Sequence, residues 1–147
     1  MSEQAERPSH DARQAPRRVG AGCAAEPQAD RPSILLVNDM AGYGKVALSV
    51  MIPLLSALRL NVYNLPTALV SNTLDYGKFD ILDTTDYMRS TLGIWDELGF
   101  TFDAVATGFL VSEEQSLLVS DYCHACKENG VPVFVDPIMG DEGVLYN

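Results

Sequence analysis

Ser33-Ile34-Leu35-Leu36-Val37-Asn38-Asp39-Met40-Ala41-Gly42-Tyr43-Gly44 decides the fold. Ile34 to Val37 is a short, unbroken apolar run, which is what a strand covered on both faces requires. Asn38-Asp39 then brings polar groups to the strand's end, and Ala41-Gly42-Tyr43-Gly44 reads as a glycine-rich turn. From about 45 to 59 the spacing predicts a helix. Its apolar positions Val46, Val50, Leu54 and Leu58 recur every four residues, and Pro53 should kink it. Strand, turn and helix open an α/β unit.

The pattern continues outward from there. Val62-Tyr63-Asn64-Leu65 is a second strand, followed by a long mixed stretch, Pro66 to Asp83, with the character of a lid or binding loop. Thr84 or Thr85 can cap a helix that runs to about Leu98 and is ended by Gly99. Phe102 to Ala106 is a third strand. Ser112-Glu113-Glu114-Gln115 is a capping box, in which the hydroxyl accepts from the backbone three residues on and the Gln reaches back. The helix it opens ends near Asn129-Gly130. Val131 to Val135 is a fourth strand, and Asp136 to Asn147 is its exit loop. The order β-α-β-loop-α-β-α-β predicts an α/β protein with a parallel sheet and helices on its faces. Ligands of such sheets bind beyond the carboxyl ends of the strands. Asn38-Asp39, Pro66-Thr67 with Ser71-Asn72-Thr73, Thr107-Gly108, and Asp136 to Asp141 all fall there.

Composition narrows the function classes. The 147 residues carry 10 Lys+Arg against 20 Asp+Glu, a net charge of −10, and 47% are hydrophobic. That is one domain or a fragment of a larger one, with enough apolar residues to build a core. No apolar run reaches the ~18 residues needed to cross a bilayer, so no membrane is expected. The acidic balance argues against nucleic acid, whose phosphates need a basic face. Three scattered cysteines fit a reducing, cytoplasmic compartment. Residues 1–32 have no net charge, no aromatic residue and a single branched aliphatic, Val19, so they read as a disordered extension before a domain at 33–147.

Most local motifs fail on inspection. Gly44-Lys45 lacks the glycine and the Ser or Thr of a phosphate-binding P-loop, since Asp39 and Val46 occupy those places. Gly42-x-Gly44-x-x-Ala47 mimics a dinucleotide fingerprint, but no acidic residue ends the second strand. A receiver domain needs a phosphoacceptor Asp where the third strand runs into Thr107-Gly108. Cys123-His124-Ala125-Cys126 lies near a helix C-terminus, the wrong end for a redox pair, and has only Cys23 and His10 as further zinc ligands. Asp136-Pro137-Ile138-Met139-Gly140-Asp141 is more informative. Two carboxylates leaving a buried strand suit a hydrated Mg²⁺ carrying phosphate, or simply cap the next element.

Val37 to Gly44, Leu65-Pro66-Thr67, Ser71 to Phe79, Thr107-Gly108-Phe109-Leu110 and Asp136 to Tyr146 together resemble the pyridoxal (pyridoxine, pyridoxamine) kinases of the ribokinase-like superfamily, from about Ile34 to Asn147. The first motif looks more like the bacterial branch shared with hydroxymethylpyrimidine kinases than the animal type. The resemblance implies a three-layer α/β/α, Rossmann-like domain with a mostly parallel sheet. It also implies ATP-dependent phosphorylation of the 5′-hydroxymethyl of a vitamin B6 vitamer, assisted by Mg²⁺ and often K⁺. By position, Asn38 and Asp39 would face the pyridine ring and Thr67 would bond its polar edge. Ser71, Asn72 and Tyr76 would belong to a flap running to Lys78. Asp136 and Asp141 would lie by the metal and the ATP phosphates. Kinases of this family commonly form homodimers, which is the expectation here too.

The chain departs from the family at Thr73, where a His is frequent, at Phe109, where a Tyr is common, and at Val111, where a small residue is common. Family members are also about twice as long. Their second half supplies the adenine pocket and a Gly-Thr-Gly-Asp motif whose Asp deprotonates the substrate hydroxyl. The expectation is therefore the N-terminal half of a kinase domain, with no catalytic residue of its own and inactive in isolation. The alternatives are a hydroxymethylpyrimidine (phosphomethylpyrimidine) kinase, and a non-catalytic fragment that binds a vitamer or a full-length partner.

Overall fold

The computed structural model describes residues 31–73, 76–141 and 143–145. The proposed extension, apart from Arg31 and Pro32, lies outside the described residues. The chain forms β1 (Ser33–Tyr43), α1 (Leu48–Ala57), β2 (Asn61–Asn72), β3 (Ile81–Asp83), α2 (Thr85–Glu97), β4 (Ala104–Thr107), α3 (Glu113–Glu128), β5 (Val133–Val135), and a hairpin of β6 (Gly140–Asp141) and β7 (Val144–Leu145). Five strands make one sheet in the order β3-β2-β1-β4-β5, parallel throughout except for β3. The fold class expected from the alternation of elements is the one observed.

Strand alternation divides the core. Leu35 and Val37 of β1 join Leu65, Met88, Phe102, Val105 and Val119 in one cluster, with Leu92 and Trp95 of α2 and Leu118 and Tyr122 of α3 packed around it. Leu36, one residue out of phase, is also fully buried, and α1 packs on β1 and β2. Burying a leucine side chain fully stabilises by about 1.5–3 kcal/mol, so this apolar run anchors both layers. An exposed Arg89–Glu114 ion pair joins α2 to α3 and contributes little.

Three expectations change. The stripe Val46, Val50, Leu54 and Leu58 is 42%, 38%, 58% and 66% exposed, while Leu48 is fully buried, with Met51, Ile52 and Leu55 partly covered. A four-residue step drifts around a helix, and the 48, 51, 52, 55 pattern is the one that stays on a single face. Pro53, where a kink is expected, falls inside α1. The long loop after the second strand is in large part strand: β2 runs on to Asn72, and β3 pairs with it antiparallel. Thr84 occupies the N-cap of α2 without a side-chain capping bond. Its hydroxyl instead donates to the Pro66 carbonyl at 2.6 Å, and Asp83 Oδ1 accepts from the Thr85 N–H at 2.7 Å.

Candidate functional site

The site follows from how β1 ends. Its pairing with β4 stops at Val37↔Thr107, while its pairing with β2 continues to Tyr43↔Asn72. Between Asn38 and Met40 the β1–β2 register shifts, because β2 carries an extra residue there. Such a bulge bends and twists a strand and re-aims its side chains. Asn38 and Asp39 therefore lie within a strand rather than in the loop expected for them. β1 leads to β2 on one side and has β4 on the other, so the crevice opening past Val37 and Thr107 is a topological switch point, where α/β sheets bind ligands.

Asn38 and Thr67 close the floor of that crevice. Asn38 is buried, and its Oδ1 accepts from the Asp39 N–H at 3.0 Å and the Phe109 N–H at 2.8 Å. Thr67 has no exposed surface, and its hydroxyl donates to the Phe109 carbonyl at 2.7 Å. Gly108 is required beneath them: a Cβ there would stand 2.4 Å from Asn38 Nδ2. Asn38 and Thr67 thus grip the backbone at Phe109 from two strands. Asp39 is half-buried, and burial pushes its carboxyl above the usual value, with its own backbone N–H pulling the other way.

Two clefts flank this floor. One, of about 610 Å³, is lined by Tyr43, Ser71, Asn72, Tyr76, Lys78, Phe79 and Asp80. Ser71 and Asn72 tie the end of β2 to residues 78–80: Ser71 Oγ accepts from the Asp80 N–H at 2.8 Å, and Asn72 Nδ2 donates to the Lys78 carbonyl at 2.9 Å. Tyr76 is exposed and meets Tyr43 edge to face at 5.8 Å. Flap positions 74 and 75 lie outside the described residues. The second cleft, about 670 Å³, includes Thr107, Gly108, Phe109, Ser112, Ser116 and Asp136. Asp136 is exposed there, and its Oδ1 accepts from the Ile138 N–H at 3.2 Å. Asp141 is placed on β6, with its side chain outside what is described.

Among the described residues no cluster of three or more His, Cys, Asp or Glu could cage a metal ion. One open carboxylate fits a hydrated Mg²⁺ held mainly by phosphate and water, not an ion held by protein alone. Also among the described residues, no helix is long and apolar enough to cross a membrane. The sequence reading missed Gln115 beyond its capping role. Its Nε2 donates to the Thr67 carbonyl at 2.8 Å, and its Oε1 accepts from the Val111 N–H at 3.1 Å. The capping half of that reading holds, since Ser112 Oγ accepts from the Gln115 N–H at 3.2 Å. Tyr43, from the first motif, and Lys78 and Phe79, from the Ser71 to Phe79 motif, line the same cleft, a juxtaposition that only folding makes.

Comparison with known proteins places the fold. No protein-family model matches the chain. A protein from Bacteroides thetaiotaomicron described as a phosphomethylpyrimidine kinase, solved with pyridoxal, is 40% identical, with a TM-score of 0.75 over 79% of this chain and 41% of its own. Pyridoxal kinase from Lactobacillus plantarum is 27% identical, with a TM-score of 0.69 over 78% and 41%. Pyridoxal kinase from Leishmania donovani, solved with ADP and pyridoxamine, shares the fold at 20% identity, with a TM-score of 0.66 over 78% and 43%. The fold is thus that of the ribokinase-like α/β kinases. Within that class the chain belongs with the phosphomethylpyrimidine and pyridoxal kinases it matches, and it spans about two fifths of the length of those solved structures.

Proposed function

We propose that residues 33–147 form the vitamer-binding half of a pyridoxal kinase, which transfers phosphate from ATP to the 5′-hydroxymethyl of pyridoxal, pyridoxine or pyridoxamine. The observation that carries this reading is 40% identity to a protein solved with pyridoxal, in a chain whose motif residues meet at a sheet switch point. Asp39 and the open flap residues Tyr76 and Lys78 take the ring side. Asn38 and Thr67 hold the floor beneath it. Asp136, with Asp141, takes the metal and phosphate side. Mg²⁺ when bound would neutralise charge on the transferred phosphate, and the ADP-bound relative supports ATP as donor. K⁺ assistance, a homodimer and a cytoplasmic setting belong to the same proposal, as does the division at residue 32.

Phosphoryl transfer also needs an acceptor for the hydroxyl proton and fixed positive dipoles around the moving group. Asp39, Asp136 and Asp141 each have another duty in this reading, so the isolated chain is expected to bind a vitamer without turning it over. Titrating the 1–147 chain with pyridoxal, and assaying pyridoxal 5′-phosphate formation with Mg·ATP and K⁺, tests both halves. Tighter binding of hydroxymethylpyrimidine than of pyridoxal would transfer the assignment to the sister kinase, and robust turnover would place the proton acceptor within these residues.

A further inference from the structure

Gln115 is polar, yet it is fully buried and among the larger side chains with no exposed surface. A buried amide without partners costs about 1–3 kcal/mol, so its bonds explain its presence. They reach four separate segments. Oε1 accepts from the Val111 N–H in the turn after β4. Nε2 faces the Thr67 carbonyl on β2 at 2.8 Å, Asp83 Oδ1 at the end of β3 at 3.1 Å, and Thr85 Oγ1 at the start of α2 at 3.1 Å. Starting α3 does not need this amide, because the Ser112 hydroxyl already caps the helix.

The contacts continue toward the crevice. Thr67 donates to the Phe109 carbonyl, the Phe109 N–H donates to Asn38 Oδ1, and the same Oδ1 takes the Asp39 N–H. A continuous series of contacts thus runs from α3 to the backbone of Asp39, whose side chain is half-buried. We infer that Gln115 is the positioning residue of the strand-end site: it sets the spacing between β2 and the 108–111 turn, and so the affinity of the vitamer floor. This rests on the vitamer-site reading above.

The test uses the intact 1–147 chain and two readouts, residue-resolved amide exchange and pyridoxal affinity, at pH 8 and pH 5. Gln115→Glu keeps an acceptor for Val111 but removes both N–H donors. Of the groups facing it, Asp83 from the β3–α2 corner is the titratable one. The Thr67 carbonyl on β2, the Thr85 hydroxyl on α2 and the Val111 N–H do not titrate, and the Arg89–Glu114 pair lies at the exposed α2–α3 surface. At pH 8, protection of the Phe109 N–H and pyridoxal affinity should each fall by at least about tenfold, since the lost hydrogen bonds are joined by repulsion between a buried carboxylate and Asp83. At pH 5 the new carboxyl, kept protonated by burial and by Asp83, donates to Thr67 and both should recover.

A loss equal at both pH values, or Phe109 protection left intact, would overturn the inference, because a packing or capping role predicts one or the other. Gln115→Met, uncharged and of similar volume, decides the point if the Glu variant does not fold. It should expose Phe109 at both pH values, and exposure confined to Val111 would overturn the inference. If the unmodified chain binds no pyridoxal, the vitamer reading fails, while the exchange result still decides whether Gln115 positions the turn.

Discussion

The floor of the crevice and its rim are built from the same stretch of sequence motifs but differ in physical state. On the floor, Asn38, Thr67 and Gln115 are buried and every bond named for them ends on another part of the chain. On the rim, Tyr76, Lys78, Phe79 and Asp136 are exposed and line open clefts. The difference teaches that residues brought to one crevice need not all face it. A saturated buried network fixes one geometry, and an open rim keeps polar and aromatic groups available for recognition.

The sharpest way to break this contrast is at Gly108. An added methyl would meet Asn38 Nδ2, Cγ and Oδ1 at 2.4, 2.5 and 2.6 Å. Asn38 cannot swing aside without releasing the Phe109 N–H. Gly108→Ala should therefore destabilise by roughly 2–3 kcal/mol, read from urea unfolding. An unchanged midpoint would mean that the floor is soft.

A matched pair comes next. Thr67→Val keeps the shape but removes the donor to the Phe109 carbonyl, and should cost about 1–2 kcal/mol. Tyr76→Ala on the rim should change stability by less than ~0.5 kcal/mol, yet weaken pyridoxal binding measurably. Equal stability losses in the two variants would erase the distinction between floor and rim.

How much of this could be read from sequence depends on the range of the interaction. The run Ile34–Val37, the alternation of elements and the Ser112 cap are local or periodic signals, and they appear as read. The extension of β1 through Asn38 and Asp39 was not readable, because it depends on β2 continuing beside it. The inward face of α1 was ambiguous, since Val46, Val50, Leu54 and Leu58 are as apolar as the residues that pack. Gln115 showed only its local cap; its contacts with Thr67, Asp83 and Thr85 lie 48, 32 and 30 residues away. Motif resemblance gave Asn38 and Thr67 as ligand-facing residues and carried no sign of their burial.

A smaller effect is expected just past the glycine-rich segment. Ala47, before α1, has φ 47° and ψ −130°, a conformation that strains a side chain. Ala47→Gly should stabilise by about 1 kcal/mol, seen as a higher urea midpoint. A loss of stability would show that the strain is not there.

The smallest effect is at acid pH. Hydrogen bonds from the Ser33 N–H and hydroxyl hold Asp103 below the usual carboxylate value, and the Thr85 hydroxyl and N–H do the same for Asp83. Groups with lowered folded values contribute stability that is present above the unfolded value, 3.8, and is lost as pH falls through the folded one. The melting temperature should decline below pH 4, and Asp103→Asn should flatten that decline slightly. A steeper decline in the variant would reverse the sign of this contribution.

The central claim, that a rigid buried floor presents a vitamer site, is tested most directly by titrating the 1–147 chain with pyridoxal while following the ligand's absorbance. The account predicts saturable one-to-one binding that is weakened at least about tenfold in Gly108→Ala and is absent for an unrelated aromatic aldehyde. No saturable binding by the unmodified chain, or equal binding of any aromatic aldehyde, would contradict it.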